Sequence, residues 1–165
     1  MSACTLQNIV VSGVVQSCVV CQAQPAVQAV PTQFVVENAY NWNAGAQSKI
    51  TRYGNCKLSF GMYKSIGVIV GISPVLARVA LIPEITHAFY FCTVSGQHKW
   101  GIIESGNLVS PLYDQLSEDP IYAIERVGAD VRYYVDGVFT YASTVQTRVP
   151  LKAHAWLYAP TDKVP

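Results

Sequence analysis

The sequence predicts an all-β protein, an antiparallel sandwich or barrel, on three observations. Short runs of β-branched and aromatic residues recur along the chain, turn signals punctuate them at close intervals, and prolines cut the one helix-compatible stretch. The length of 165 residues suits one domain, or a domain with an arm. Apolar residues are 51% and charged residues 13%, the opposite of the balance that keeps a chain disordered. A net charge of +1, from 11 Lys+Arg against 10 Asp+Glu, provides no general basic field for gripping phosphates. No apolar run approaches the roughly 18 residues of a membrane span.

The chain divides near Pro31. Residues 1–30 contain no Asp, Glu, Lys or Arg. Within them Ile9-Val10-Val11-Ser12-Gly13-Val14-Val15-Gln16 reads as one or two strands, and Pro25 and Pro31 restrict the stretch after Cys21 to turns, edges or extended connection. A stretch this apolar needs cover. Two readings stand: an arm buried by the main domain or by another subunit, or two core strands of the same sandwich. The first five residues lack a basic region and an apolar core of a secretory signal, so synthesis as a cytosolic chain is expected.

From Phe34 onward strand and turn alternate. Ile66–Ile72 is a buried strand with Gly67 and Gly71 where another backbone approaches closely. Ala88–Val94 ends at Ser95-Gly96, and Trp100–Glu104 ends at Ser105-Gly106-Asn107. Ile121–Arg126 turns at Val127–Asp130 into Val131–Val135. Asp136-Gly137 is the strongest hairpin signal, suited to a type I′ turn, and Val138–Ala142 returns from it. The helix-compatible stretch Ile72–Ile82 is cut short by Pro74 and Pro83.

Five cysteines, Cys4, Cys18, Cys21, Cys56 and Cys92, are an odd number, so complete intramolecular pairing is excluded. Cys18-Val19-Val20-Cys21 has CxxC spacing, but no second close pair exists to complete a zinc site. Reduced thiols are expected, ahead of a disulfide or a metal. His87, His98 and His154 fall in no ligand spacing. His87 and Cys92 have opposite parity on one strand and so face opposite ways. No GxSxG elbow and no phosphate loop is present, and Arg126, Arg132 and Arg148 are scattered rather than clustered for nucleic acid.

Aromatics carry the remaining chemistry. A two-residue loop at Asp136-Gly137 places Arg132, Tyr134, Phe139 and Tyr141 on one side, either core or a stacking platform. A bulge would change that register. Trp42, in the polar run Tyr40-Asn41-Trp42-Asn43, and Trp100, beside Lys99, are sugar-stacking candidates with core packing as the alternative. The candidate ligand-binding set is Trp42, Trp100, Arg132, Tyr134 and Tyr141, with no catalytic residue, metal ligand or cofactor expected.

Trp42-Asn43-Ala44-Gly45-Ala46-Gln47-Ser48, Ile50, Gly54 and Val70-Gly71-Ile72-Ser73 resemble the first half of a concanavalin-like jelly-roll module of bacterial surface and bacteriophage structural proteins. Gly101–Gly106 with Glu104, Ile124-Glu125-Arg126-x-Gly128-x-x-Val131-Arg132-Tyr133, Asp136-Gly137 and Tyr141-x-Ser143 resemble its second half. The family usually carries Asn-Gly where Asp136-Gly137 stands. The likeness spans about residues 35 to 165. It implies an antiparallel two-sheet jelly-roll over 31–165, with residues 1–30 as an uncharged N-terminal arm or assembly segment. Two functional readings result. The first is a non-enzymatic structural protein, a bacteriophage virion surface component of spike, fibre or capsid-decoration type. It would be homo-oligomeric, with a trimer as one closed form, and bind other virion proteins. The second is a carbohydrate-binding adhesin or receptor-binding module taking surface glycans. Both place the chain on a virion surface or outside the cell, without nucleic-acid or membrane partners. Glucanases of this fold need two carboxylates about 5–9 Å apart, and no Glu-x-Asp-x-Glu strand supplies them here, so the expectation is that the chain is not an enzyme. Nor does an Asp/Asn cluster of the lectin calcium type occur; Glu118-Asp119-Pro120 reads as a solvated turn.

Overall fold

The computed structural model describes residues 42, 44–62, 64–75, 84–115, 117–159, 161, 162 and 164, and the backbone of 5–11 and 14–20. Among them run β1 (Thr5–Val11), β2 (Val14–Val20), β3 (Ala44–Gln47), β4 (Cys56–Gly61), β5 (Gly67–Pro74), β6 (His87–Val94) and β7 (Gln97–Glu104). The series continues with β8 (Asn107–Leu108), β9 (Tyr113–Asp114), β10 (Ile121–Val127), β11 (Asp130–Val135), β12 (Val138–Ala142) and β13 (Leu151–Leu157). No α-helix occurs among the described residues, where Glu84 alone has 3-10 conformation.

The strands form two antiparallel sheets, one ordered β1-β2-β4-β10-β11-β12 and one ordered β3-β13-β5-β6-β7-β8, with β9 also on β7. Consecutive strands joined by two-residue loops pair directly: Val94 faces Gln97, Glu104 faces Asn107, Val127 faces Asp130 and Val135 faces Val138. The expected hairpin at Asp136-Gly137 has φ of 50° and 78°, the two positive values that a type I′ turn requires. Asp136 secures it further, because its Oδ1 accepts the N–H of Ile121 at 2.8 Å.

Alternation of side chains along each strand puts one set between the sheets. Leu58, Phe60, Val68, Val70, Ile72, Phe89, Phe91, Ile102, Tyr122, Ile124, Val131, Tyr133 and Leu151 form that core. Burying each large apolar side chain stabilises the fold by about 1.5–3 kcal/mol. Rings of Phe60, Phe89, Phe91 and Tyr122 meet edge-on or offset at 4.7–6.1 Å. The opposite parity of the second sheet carries a smaller cluster, Ile69, Ile85, Ala88, Ile103 and Trp156, so that sheet is apolar on both faces. Burial on both faces accounts for the all-apolar run Val68-Ile69-Val70. At Gly71 a Cβ would stand 2.1 Å from the carbonyl oxygen of His87, which is the close approach its glycine predicts.

The described part of the uncharged segment, β1 and β2, forms a hairpin, and β2 pairs with β4 through Ser17–Ser59 and Cys18–Leu58. Cys4, Cys21, Pro25, Pro31 and residues 76–83 of the helix-compatible stretch lie outside the described residues. Cys56 and Cys92 are thiols, not disulfides.

Candidate functional site

The five sequence-picked residues fall into three places. Trp42 is half-buried, its ring 5.4 Å from that of Tyr158 and 6.3 Å from that of Tyr90, at the end of the seven-stranded sheet. Trp100 is 7% exposed and belongs to the inter-sheet core. Tyr113 stacks on it at 4.5 Å and 28°. Arg132 and Tyr134 lie on the outer face of the six-stranded sheet. There the Tyr134 hydroxyl donates to Glu125 at 3.0 Å, Lys57 Nζ stands 5.2 Å from its ring, and Phe139 meets it edge-on.

Tyr141 requires a correction. The β11–β12 register slips between Tyr133 and Tyr134, so Tyr141 pairs with Tyr133 rather than sharing a side with Tyr134. A bulge adds one residue and reverses parity beyond it. Tyr141 therefore packs against the main core, with desolvation pushing its hydroxyl pKa up. The side expected to hold four residues, as core or as a stacking platform, is an outer face and holds Arg132, Tyr134 and Phe139.

His87 and Cys92 do face opposite ways. His87 Nε2 donates to the Val145 carbonyl at 2.8 Å, and burial lowers its pKa. Cys92 sits on the other face, where burial raises the thiol's pKa.

A polar cleft of about 540 Å³ opens at the end of the sandwich that carries the β6–β7 turn, lined by Lys64, Gln97, His98, Asp114, Gln115 and Glu118 together with Gly96 and Ser117. Its frame is built from backbone. Ser95 and Gly96, with φ of 51° and 79°, make the tight turn. Pairing of β9 with β7 sets Asp114 against Lys99 and Tyr113 against Trp100. Gln115 N–H then continues the ladder to the His98 carbonyl at 3.0 Å. Lys99 Nζ reaches Asp114 Oδ1 at 2.5 Å, an ion pair whose partners are 20% and 59% exposed and which is screened accordingly.

The hydrogen bonds assign the proton on His98. The Thr93 hydroxyl donates to the Ser65 carbonyl at 2.6 Å, which uses its one proton. His98 Nδ1, 2.8 Å from the same oxygen, therefore donates to it. In the neutral ring this leaves Nε2 as an acceptor. The cleft is thus lined by the amides of Gln97 and Gln115, the Lys64 ammonium, the His98 ring and the carboxylates of Asp114 and Glu118; within it Gln115 Nε2 makes long contacts of 3.5 Å to the Met62 and Ser117 carbonyls, and Asp114 Oδ1 takes Lys99. Tyr113, which precedes Asp114 on β9, is 40% exposed and is not itself one of the lining residues. Sequence reading missed this set because it comes from three separate stretches. The acidic Glu118-Asp119 turn was its one local signal. Among the described residues no group of three or more His, Cys, Asp or Glu is placed to hold a metal ion.

No family model and no curated protein matches the sequence. Solved structures do. The TRIM65 PSpry domain is 12% identical, over 72% of this chain and 65% of its own, with a TM-score of 0.47. A Bacillus licheniformis beta-glucanase is 15% identical, over 91% and 68%, with a TM-score of 0.41. The chain spans about two thirds of the length of each of these two. The Emp47p carbohydrate recognition domain is 8% identical, over 95% and 80%, with a TM-score of 0.43. The fold itself rests on the strand order and register of the chain, two antiparallel sheets enclosing one core. The expectation that the chain is not an enzyme is corrected by the same finding. A beta-glucanase stands among the structures it is similar to, so a sandwich of this kind is no ground for excluding catalysis.

Proposed function

We propose that the chain is a carbohydrate-binding module and that the polar cleft between the β6–β7 turn and residues 113–118 takes the glycan. The observation that carries this reading is the mixture of donors and acceptors around one open cleft, with Tyr113, the chain neighbour of the lining residue Asp114, stacked on Trp100. A sugar presents paired hydroxyls, each both donor and acceptor, on an otherwise C–H-rich ring. Side-chain amides and carboxylates satisfy the former, and an aromatic face packs the latter. The Emp47p domain, named for carbohydrate recognition, and the beta-glucanase agree with this reading without arguing for it. The test is calorimetric titration against neutral and acidic oligosaccharides. Binding that saturates in the wild type and falls at least tenfold in Tyr113→Ala and Gln115→Ala supports it. Absence of binding across both glycan classes overturns it.

A second reading, a homo-oligomeric surface component of a bacteriophage virion with segment 1–30 acting in assembly, draws on a different observation. Val138 and Phe139 of the edge strand β12 are 68% and 55% exposed, and Ile121 beside the hairpin tip is 50% exposed. Apolar groups on an unpaired edge favour association. On this reading the chain works outside the cell that makes it, on the virion surface. Light scattering of full-length protein and of a chain lacking residues 1–30 tests it: a full-length monomer at high concentration removes it.

A further inference from the structure

We propose that the polar cleft selects amino sugars, glycans whose amine is protonated in the bound state, over neutral and acidic ones. The inference rests on the carbohydrate reading of that cleft and adds to it the charge of the ligand.

The net charge of +1 conceals an uneven distribution. The cleft end of the sandwich carries Asp114, Glu118, Asp119, Asp136 and Asp162. Pairing of β9 with β7 places the first, the loop after it the next two, and bonds to the N–H groups of Ile121 and Ile66 the last two. Of the described lysines and arginines only Lys64 and Lys99 stand there. The others lie toward the far end, on the side of the Arg52–Leu151 bridge and the Arg126 fork. A cleft under one sign of charge, with low-dielectric walls, concentrates ligands of the opposite sign.

The cations present do not neutralise that end. Lys99 is committed to Asp114, and the pair presents little net charge to the cleft. That leaves one ammonium, Lys64, beside the carboxylates of Glu118 and Asp119. Both carboxylates are exposed, and no described residue bonds to either. Asp136 and Asp162 are held by backbone N–H groups, dipoles that leave their formal charge in place. At about 540 Å³ the cleft is of the size of small-molecule sites, roughly 300–1,000 Å³, so it suits a short oligomer rather than a lone ammonium ion.

His98 points to the same ligand independently of the carboxylates. Its Nδ1 is bound to Thr93 Oγ1, and Thr93 spends its own proton on the Ser65 carbonyl. The neutral ring therefore keeps its lone pair on Nε2, the nitrogen that is not bound. A ring lone pair and carboxylate oxygens accept hydrogen bonds and donate none. A sugar hydroxyl brings them one proton and an N-acetyl group brings one. A protonated amine brings three, together with a positive charge. A uronate brings a like charge against Glu118, which is repulsive. The order of affinity that follows is amine over neutral over acidic.

Calorimetric titration of the full chain at pH 7, with EDTA present, tests the preference on four tetramers: β-1,4-linked glucosamine, its N-acetylated form, cellotetraose and tetragalacturonate. Cellotetraose should bind, the glucosamine tetramer at least tenfold tighter, and tetragalacturonate weakest. Raising salt from about 0.1 to 1 M, which shortens the screening length from about 10 to about 3 Å, should erase most of the gap. Glu118→Gln, on an exposed turn, should cut the ratio of amine to N-acetyl affinity at least fivefold with an unchanged Tm. The ¹⁵N signal of His98 Nε2 should shift as the amine binds. Equal or tighter binding of the N-acetylated or acidic tetramer overturns the preference and leaves the carbohydrate reading standing. So does a ratio that Glu118→Gln leaves untouched, or binding that requires added calcium. Binding of no tetramer overturns both.

Discussion

Asp162 holds Gly67 from 95 residues away in sequence, its Oδ2 accepting the Gly67 N–H at 3.0 Å. The same carboxylate accepts Ile66 N–H at 2.6 Å and Ala159 N–H at 2.8 Å. Two of these amides lead into the central strand β5 and the third follows β13; the Gly67 and Ala159 bonds are buried, so without Asp162 those two N–H groups would lose their acceptor where water does not reach. Hydrogen bonds to a charged acceptor contribute about 1.5–3 kcal/mol each, and they are not additive. Asp162→Ala should therefore lower unfolding free energy by about 3 kcal/mol, with Asp162→Asn intermediate, read by urea denaturation. Equal stability of all three proteins would show that the clamp is idle.

Arg126 makes a second prediction. Its fork closes on the carbonyls of Gly54 and Val149 across the gap between a loop and the strand-end before β13. Truncation to Ala opens a cavity and strands both carbonyls, a loss of about 3–5 kcal/mol. Arg126→Lys keeps the charge but not the fork, and should recover less than half of it. Thermal and urea melts measure both.

The pH dependence of stability arises from His154. It is 1% exposed, and burial first, then Lys152, lowers its pKa to about 4. In the unfolded chain the ring titrates at its ordinary value near 6.5. Between those values the unfolded state binds the proton and the folded state does not, so stability is full above about pH 6.5 and falls as pH drops toward 4. At about 1.4 kcal/mol per pH unit the loss approaches about 3 kcal/mol. His87, also lowered by burial, adds in the same direction. Urea melts at pH 7, 5 and 4 should show a steep decline in the wild type and a shallower one in His154→Gln.

The His98 tautomer is measurable directly. With Thr93 Oγ1 committed to Ser65, the neutral ring should carry its proton on Nδ1, visible in imidazole ¹⁵N spectra at alkaline pH. Thr93→Val removes the acceptor and should let the Nε2–H form appear. A wild-type spectrum already dominated by Nε2–H would contradict the assignment, and the cleft would then present a donor where an acceptor is described.

Asp136-Gly137, Ser95-Gly96 and the apolar run Val68-Ile69-Val70 were legible in the sequence because their causes are local. Positive φ is a property of two residues, and a strand covered on both faces needs no neighbour to declare itself apolar. The antiparallel sandwich and the opposed faces of His87 and Cys92 obey those same short-range rules. The bulge between Tyr133 and Tyr134 does not, since it depends on how β11 and β12 settle on the core, and one extra residue moved Tyr141 from the outer face to the inner one. Trp100 has the same composition of neighbours as a surface tryptophan, yet pairing with β9 laid Tyr113 over it. The cleft, the Asp162 clamp and the Arg126 fork join residues separated by tens of positions. Whether a buried charge meets an oxygen there is decided by packing of distant segments, and no spacing along one strand encodes it.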